Sequence, residues 1–180
     1  MFYGIAITRL ERELRGWSHP HRGRESPTRT VHVERSVGVY TIGYEDLRID
    51  QLLNKLRENR IDTVVDVRLT PSSRRPGFSK GTLATALAGS GIEYIHERDL
   101  GNPPENRDAF RKGPLEEGRR RMRERLENGS GEALGRLVER ARHQRVAVLC
   151  VEWADARCHR QVIVEMVREL EPKMFTTSIW

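Results

Sequence analysis

The chain lacks the features that mark membrane, secreted and disulfide-bonded proteins. It has only two cysteines, Cys150 and Cys158, and no apolar run approaches the roughly 20 residues that a membrane-spanning helix needs. The N-terminus does not show the order of basic, apolar and small residues that is typical of a signal peptide. These absences argue against a disulfide framework and predict a cytoplasmic protein with reduced thiols and no membrane partner.

Lysine is also scarce, so the positive charge of the chain comes almost entirely from arginine. The formal net charge is +6, with 32 basic and 26 acidic residues. The guanidinium group of arginine matches phosphate and carboxylate groups. This balance favours an anionic partner, either a small molecule or a nucleic acid, although genomic base composition also enriches arginine.

The composition changes near residue 36. Residues 1–36 contain a stretch rich in arginine, histidine, proline and serine that cannot bury much apolar surface. We expect this segment to be a flexible arm or an extension, including one that results from a start codon placed too far upstream. Residues 37–180 have the length of a single domain with its own core.

Strand and helix patterns alternate at least four times in residues 37–180, which predicts a three-layer α/β domain. Its sheet would be mostly parallel, with four to five strands and helices on both faces. Residues 97–113 are polar and contain prolines, and they predict a long surface excursion. Strands are predicted at 37–43, 61–68, 91–96 and 145–153 with a further edge strand near the C-terminus, and helices at 47–60, 79–87, 114–127, 131–143 and 158–170.

The segment CVEWADARCHR, residues 150–160, follows the most apolar predicted strand directly. Sites in open parallel sheets form at the carboxyl ends of the strands. We expect Cys150 at the end of this strand and Cys158 at the start of the next helix, with Asp155 near its cap. A helix N-terminus attracts anions and lowers the pKa of a thiol placed there, so the segment predicts a reactive site.

Each of these residues also has a structural interpretation. Cys150 lies in an apolar run, where cysteine usually serves as a small core residue. His159 is spaced to lean on the core, and Asp66 with Arg68 would form an ion pair at the end of a strand. The arginines of residues 119–125 are typical of a solvated helix face, with phosphate contact as the alternative.

Two specific chemistries fit the spacing poorly. The C-x7-C-H pattern matches none of the usual zinc motifs and shows no fourth ligand, so we expect neither a metal nor another cofactor. The interval from Cys150 to Arg157 is one residue too long for the C-x5-R loop of cysteine phosphatases. Glu152 and Asp155 would also repel a phosphate group in such a loop.

Several motifs together resemble the bacterial and archaeal family called domain of unknown function 488. The resemblance covers about residues 37–170, and the C-x-E followed by C-H-R is its strongest mark. One departure is Tyr44, where the family usually has a histidine after Thr-Ile-Gly. The motifs are TIGY (41–44), DVR (66–68), PSSRRPGF (71–78), GIEYIH (91–96), LG (100–101) and CVEWADARCHR (150–160).

The resemblance implies an α/β domain and an enzyme linked to nucleic-acid metabolism or repair, but it supplies no substrate. We therefore expect an enzyme that acts on an anionic, phosphate-bearing substrate, with a noncatalytic nucleic-acid-binding module as the alternative. Arg74 lies in a loop beside the predicted site and would bind an anion. The candidate catalytic residues are Cys158, His159, Cys150, Asp66 and Glu152, and the candidate substrate-binding residues are Arg68, Arg74, Arg160 and Tyr44.

Overall fold

The computed structural model describes residues 36–180, so the arm predicted over residues 1–36 lies outside the described residues except for its last position. The described part forms one sheet of five strands with six α-helices. The strands are β1 (Gly38–Gly43), β2 (Thr63–Asp66), β3 (Glu93–His96), β4 (Arg145–Cys150) and β5 (Phe175–Ser178), and the helices are α1 (Ile49–Glu58), α2 (Lys80–Ala88), α3 (Pro104–Arg111), α4 (Leu115–Gly129), α5 (Gly131–Ala141) and α6 (Arg160–Leu170).

All neighbouring strands are parallel, and their order across the sheet is β3-β2-β4-β1-β5. This arrangement confirms the predicted three-layer α/β fold, including the edge strand near the C-terminus. The strand β4 lies at the centre, between β1 and β2, and every one of its residues except Arg145 is buried.

Side chains of β4 alternate between the two faces of the sheet, as a period of two residues requires. Val146, Val148 and Cys150 pack on one face with α4, α5 and α6, while Ala147 and Leu149 pack on the other with α1 and α2. Both faces are covered, which explains why the strand is an uninterrupted apolar run. Cys150 therefore lies on the same face of the sheet as α6.

The helices that follow the adjacent strands β2 and β4 lie on opposite faces. Leu83 and Leu87 of α2 pack in one core, and Val162 and Ile163 of α6 pack in the other. The chain therefore leaves β2 and β4 in opposite directions at their carboxyl ends. This divergence opens a crevice between the two loops, which is the usual position of a ligand site in an open parallel sheet.

The expectation for residues 97–113 was wrong, because this segment includes a 3₁₀ turn at Arg98–Leu100 and the helix α3. Only Asn106 and Phe110 of α3 are buried, and these positions lie four residues apart on one face. Because only Phe110 of these two is apolar, the helix leaves almost no periodic apolar pattern in the sequence. None of the helices in residues 36–180 combines the length and apolar character that a membrane crossing requires.

Candidate functional site

Four side chains that can bind a metal ion or exchange a proton lie close together where β4 ends. The chain leaves β4 at Cys150, passes through Glu152, makes a 3₁₀ turn at Asp155–Arg157 and reaches Cys158 and His159 just before α6. We call Cys150, Glu152, Cys158 and His159 the donor cluster. Their ligand atoms all lie within 4.8 Å of one another, and the structure therefore brings together four of the five predicted catalytic residues.

The carboxylate of Glu152 holds the two thiols together. Its Oε2 accepts hydrogen bonds from Cys150 Sγ at 3.0 Å and from Cys158 Sγ at 3.3 Å. The Nδ1 atom of His159 faces the same sulfur atoms, at 3.9 Å from Cys150 and 3.6 Å from Cys158. Glu152 is thus a fourth potential metal ligand beside Cys150, Cys158 and His159. The spacing of the cysteines and the histidine in the sequence did not indicate it.

The ring of His159 is oriented by a backbone group of a different strand end. Its Nε2 atom lies 3.2 Å from the carbonyl oxygen of Val67, the residue that follows β2. A carbonyl oxygen only accepts hydrogen bonds, so Nε2 carries a proton, and Nδ1 is the ring atom that faces the sulfur atoms. His159 is buried, but both of its ring nitrogens contact polar groups or sulfur atoms, so the ring does not simply pack against the core.

The two cysteines have opposite electrostatic environments. The hydrogen bond to Cys158 and burial raise the pKa of Cys150 well above its ordinary value. Burial would also raise the pKa of Cys158, but the hydrogen bond from Cys150 and the neighbouring His159 and Arg160 lower it overall. Cys158 is therefore the thiol whose negative charge the fold stabilises.

Arg160 is completely buried beneath the donor cluster and does not line an opening. Its Nε donates to Cys158 Sγ at 3.3 Å, and its Nη2 donates to the carbonyl oxygen of Glu152 at 2.5 Å. The same Nη2 forms an ion pair with Asp155 Oδ1 at 2.8 Å. Arg160 was predicted to bind substrate. In the structure it instead holds Cys158, the Glu152 backbone and Asp155 in position.

Asp155 was expected near the cap of α6, but its carboxylate points elsewhere. Thr41 of β1 donates to Asp155 Oδ2 at 2.5 Å, and Ser178 of β5 donates to the same oxygen. Together with Arg160 these contacts attach the loop after β4 to the two strands on its other side. The helix α6 has no side-chain cap, and Cys158 lies before its first residue.

A second buried ion pair lies at the end of β2. Arg68 donates from Nε to Asp66 Oδ1 at 2.8 Å and from Nη2 to Oδ2 at 2.5 Å, and Tyr94 donates to Oδ2 at 2.7 Å. Burial lowers the pKa of Arg68, but the hydrogen bonds and charge of Asp66 outweigh it and raise that pKa overall. Asp66 is thus engaged in a structural ion pair, apart from the donor cluster.

Tyr44, where the family usually has histidine, supports this ion pair. Its hydroxyl accepts a hydrogen bond from Arg68 Nη1 at 2.8 Å, and its ring stacks on Phe78 with 4.2 Å between centroids. Tyr44 is buried and does not line the cleft described below. The structure therefore does not bring this predicted substrate-binding residue to the site.

A cleft of about 120 Å³ opens above the donor cluster, between the loops that follow β2 and β4. Cys150, Glu152 and His159 line it on one side, and Arg68 lines it at the end of β2. The Glu152 side chain remains 24% exposed, so water reaches the cluster through this opening. The cleft thus joins the ends of β2 and β4, and Cys150 and His159 line it whereas the buried Cys158 does not.

Two arginines of α3 line the same cleft, and the sequence analysis did not single them out. Arg107 and Arg111 are four residues apart, which places them on one face of the helix. The Nη2 atom of Arg111 lies 3.7 Å from Glu152 Oε1. The only sequence signal was the R-x3-R spacing in a segment that was not predicted to be helical.

Arg74 is exposed and is not among the residues that line the cleft. A larger groove of about 440 Å³ lies beside β3, and it is lined by apolar residues such as Ile95 and Leu137 together with charged residues of α5. That groove contains neither cysteine nor any residue of the donor cluster. We place the candidate site in the smaller cleft because the reactive groups converge there.

Gly43, in the Thr-Ile-Gly motif, lets the loop after β4 approach β1. A Cβ atom at Gly43 would lie 1.9 Å from the carbonyl oxygen of Glu152 and 2.9 Å from Cα of Trp153. Since the carbonyl of Glu152 also binds Arg160, any side chain here would displace the donor cluster.

We expect Gly43→Ala to lower the free energy of unfolding by about 1–3 kcal/mol, the range seen for overpacked sites. Urea denaturation followed by circular dichroism measures this change. Gly135→Ala in α5 is the matched control, because its Cβ meets no atom within 4 Å and alanine favours a helix. Equal stability of Gly43→Ala and the wild-type protein would contradict the close approach described here.

Comparison with known families gives one match. The model of the family described as Domain of unknown function DUF488 matches residues 48–167, which is more than half of the chain. The chain belongs to this family. The DUF488 match includes Asp66, Arg68 and the whole donor cluster, while β1 and β5 lie outside it. No curated protein and no solved structure matches the chain.

Proposed function

We propose that this DUF488 protein is an enzyme that acts on an anionic, phosphate-bearing substrate bound in the cleft above the donor cluster. One observation carries the proposal: two arginines and a set of reactive side chains face the same opening at the carboxyl edge of the sheet. A thiol with a perturbed pKa that lines a water-accessible cleft, as Cys150 does, is typical of functional sites.

Arg107 and Arg111 are the groups we assign to the phosphate. Arg111 is more than half exposed, and its nearest acidic neighbour is Glu152 at 3.7 Å, beyond hydrogen-bond distance. Within residues 36–180, the hydrogen bond of the Arg107 side chain is a long one, 3.4 Å from Nε to the carbonyl oxygen of Asn102. Both guanidinium groups can therefore reorient toward an anion. Arg68 and Arg160, by contrast, are buried and already paired with aspartates.

Glu152 is the residue we assign to proton transfer. Its Oε2 faces the two thiols, and its Oε1 faces the cleft and Arg111. Asp66, the other acid considered for this role, is completely buried and holds Arg68 and Tyr94. Cys150 also lines the cleft, so the substrate would meet Cys150 and Glu152 first.

The alternative of a noncatalytic nucleic-acid-binding module has less support. Such a module needs arginines that are free to contact phosphates along one face. The arginine run of α4 is instead engaged within the protein: Arg119, Arg120, Arg121 and Arg123 pair with glutamates, and Arg125 donates to the carbonyl oxygen of Gly101. This face carries alternating charges and favours the interpretation of a solvated helix.

We expect Arg107→Ala and Arg111→Ala each to weaken the binding of inorganic phosphate by about tenfold or more, since a hydrogen bond to a charged group contributes about 1.5–3 kcal/mol. Isothermal titration calorimetry measures the affinity. Arg57→Ala in α1 is the control, because Arg57 is exposed and does not line the cleft. Arg74→Ala tests the anion-binding role that the sequence assigned to this loop.

Turnover is tested separately with a panel of phosphate monoesters and diesters followed by ³¹P NMR. Glu152→Gln should bind inorganic phosphate while losing turnover, because the amide cannot accept a proton at neutral pH. Unchanged phosphate affinity in Arg107→Ala and Arg111→Ala would contradict the assigned binding mode. Salt-dependent binding of nucleic acid that survives Glu152→Gln and Cys158→Ser, without turnover of the panel, would favour the binding module.

A further inference from the structure

We infer that the donor cluster binds one divalent transition-metal ion, and that Zn²⁺ fits it best. This inference goes beyond the proposed function and does not depend on it, because metal binding is measured without substrate. It also differs from the expectation of no metal that the cysteine spacing supported. The argument rests on the distances between the donors, the orientation of the histidine and the chemistry of the ligands.

The distances between donor atoms fit a tetrahedral site. Metal–ligand bonds of about 2.0–2.3 Å at tetrahedral angles place neighbouring sulfur, nitrogen and oxygen ligands about 3.4–3.8 Å apart. The observed separations are 3.0 and 3.3 Å between Glu152 Oε2 and the two sulfur atoms, and 3.6 and 3.9 Å between His159 Nδ1 and the sulfur atoms. The other donor pairs lie within 4.8 Å, so shifts of up to about 1 Å would bring all four atoms to ligand positions.

The histidine already has the orientation of a metal ligand. Metal-bound histidines almost always donate their other ring N–H to a carbonyl or carboxylate, which fixes both tautomer and ring angle. His159 has this arrangement, with Nε2 at the Val67 carbonyl and Nδ1 directed at Cys150 and Cys158. This contact joins the residue before α6 to the residue after β2, so the ring is held by a segment other than its own.

The surrounding charges favour a cation between the donors. With both thiols ionised, the largely buried cluster would carry two thiolates and one carboxylate. The nearby positive charges are Arg160 beneath it and Arg111, 3.7 Å from Glu152 Oε1. A divalent ion removes the thiol protons and balances most of this charge. The sulfur atoms of both cysteines lie within hydrogen-bond distance of one carboxylate oxygen, and a bound ion would take the place of the protons shared there.

The ligand types select the class of metal. Thiolate and imidazole ligands favour Zn²⁺ and Fe²⁺, whereas Mg²⁺ and Ca²⁺ require oxygen ligands. A set of two cysteines, one histidine and one glutamate has the four ligands of a tetrahedral zinc site. The Oε1 atom of Glu152 still faces the cleft when Oε2 binds the ion, so the site stays in contact with the proposed substrate.

The test is metal analysis of the full chain, purified without chelator and then loaded with Zn²⁺. We expect one zinc ion per chain by elemental analysis. The Co²⁺-loaded protein should show the absorption of tetrahedral cobalt and thiolate-to-cobalt charge transfer. The two cysteines are the only thiols of the chain, so their reaction with a thiol reagent should be slow with zinc and fast after a strong chelator removes it.

Variants distinguish this site from binding elsewhere on the chain. Cys150→Ser, Cys158→Ser and His159→Gln should each weaken zinc affinity by about 100-fold or more, because loss of even an outer-shell partner costs 10–100-fold. His143→Gln, an exposed histidine of the same domain, should keep full binding. Circular dichroism identifies any variant that fails to fold, and the thiol-reactivity assay on the wild-type protein remains decisive in that case.

Stoichiometric binding that all three ligand variants lose supports the site, and iron bound with the same dependence also supports it. The inference is overturned if the loaded wild-type protein holds no stoichiometric metal and its thiols react at the same rate with and without chelator. It is equally overturned if Cys150→Ser and Cys158→Ser retain full zinc affinity. Neither result would affect the assignment of Arg107 and Arg111 to phosphate, which the calorimetric assay measures alone.

Discussion

Replacing Asp66 with alanine should lower the free energy of unfolding by about 3–5 kcal/mol, the cost of leaving one partner of a buried ion pair without the other. Arg68 is 5% exposed and loses two charge-assisted hydrogen bonds in this variant. Tyr94 loses its acceptor as well. Urea denaturation at neutral pH, followed by circular dichroism, measures the change.

The chain contains a closely matched control. Arg48 and Asp50 form the same two-bond ion pair at the same spacing of two residues, but on the surface, where the side chains are 70% and 57% exposed. Asp50→Ala should therefore change stability far less than Asp66→Ala does, because water screens an exposed ion pair. Equal effects of Asp66→Ala and Asp50→Ala would contradict the claim that burial makes the inner pair indispensable.

Replacing Arg160 with methionine should also lower the free energy of unfolding by about 3–5 kcal/mol. Methionine keeps much of the side-chain volume but leaves Asp155 without its cation and the Glu152 carbonyl without its donor. Arg168→Met is the control, since Arg168 lies on the exposed side of α6 and only donates to Thr176. Thermal and urea unfolding of both variants measure the difference.

The Arg160 variant also tests how the donor cluster is held. Because Arg160 contacts Cys158 Sγ and the Glu152 carbonyl, its loss should speed the reaction of the thiols with a thiol reagent. A stable Arg160→Met protein with unchanged thiol reactivity would mean that the loop after β4 is held by other contacts. Thr41 and Ser178, which bind Asp155 from the neighbouring strands, are the residues to examine next in that case.

The architecture was largely predictable because its strands are covered on both faces. The apolar run of β4 and the helical spacing of α1 and α6 follow directly from burial, so the alternation of strand and helix was evident in the sequence. The order of the strands was not, since no local pattern indicates that β4 inserts between β1 and β2. That arrangement depends on packing between distant segments.

The part of the candidate site whose reactive residues lie close together in the sequence could be predicted. The part that depends on contacts between distant segments could not. Cys150, Cys158 and His159 attracted attention by their residue types, and the structure brings them together. The burial of Arg160 could not be predicted, because an arginine in a buried network and one on the surface look the same in a sequence. The helix α3 was missed because two buried positions make too weak a pattern. The two arginines of the cleft lie on this helix and were missed for the same reason.

All four members of the donor cluster come from ten consecutive residues, while the arginines opposite them come from a helix about forty positions earlier. An inserted or deleted residue between Glu152 and Cys158 would therefore alter the distances that join Cys150 and Glu152 to Cys158 and His159. A change of length between β3 and α3 would instead move Arg107 and Arg111, which line the opposite side of the cleft. The seven residues between the two cysteines thus set the distances across the donor cluster.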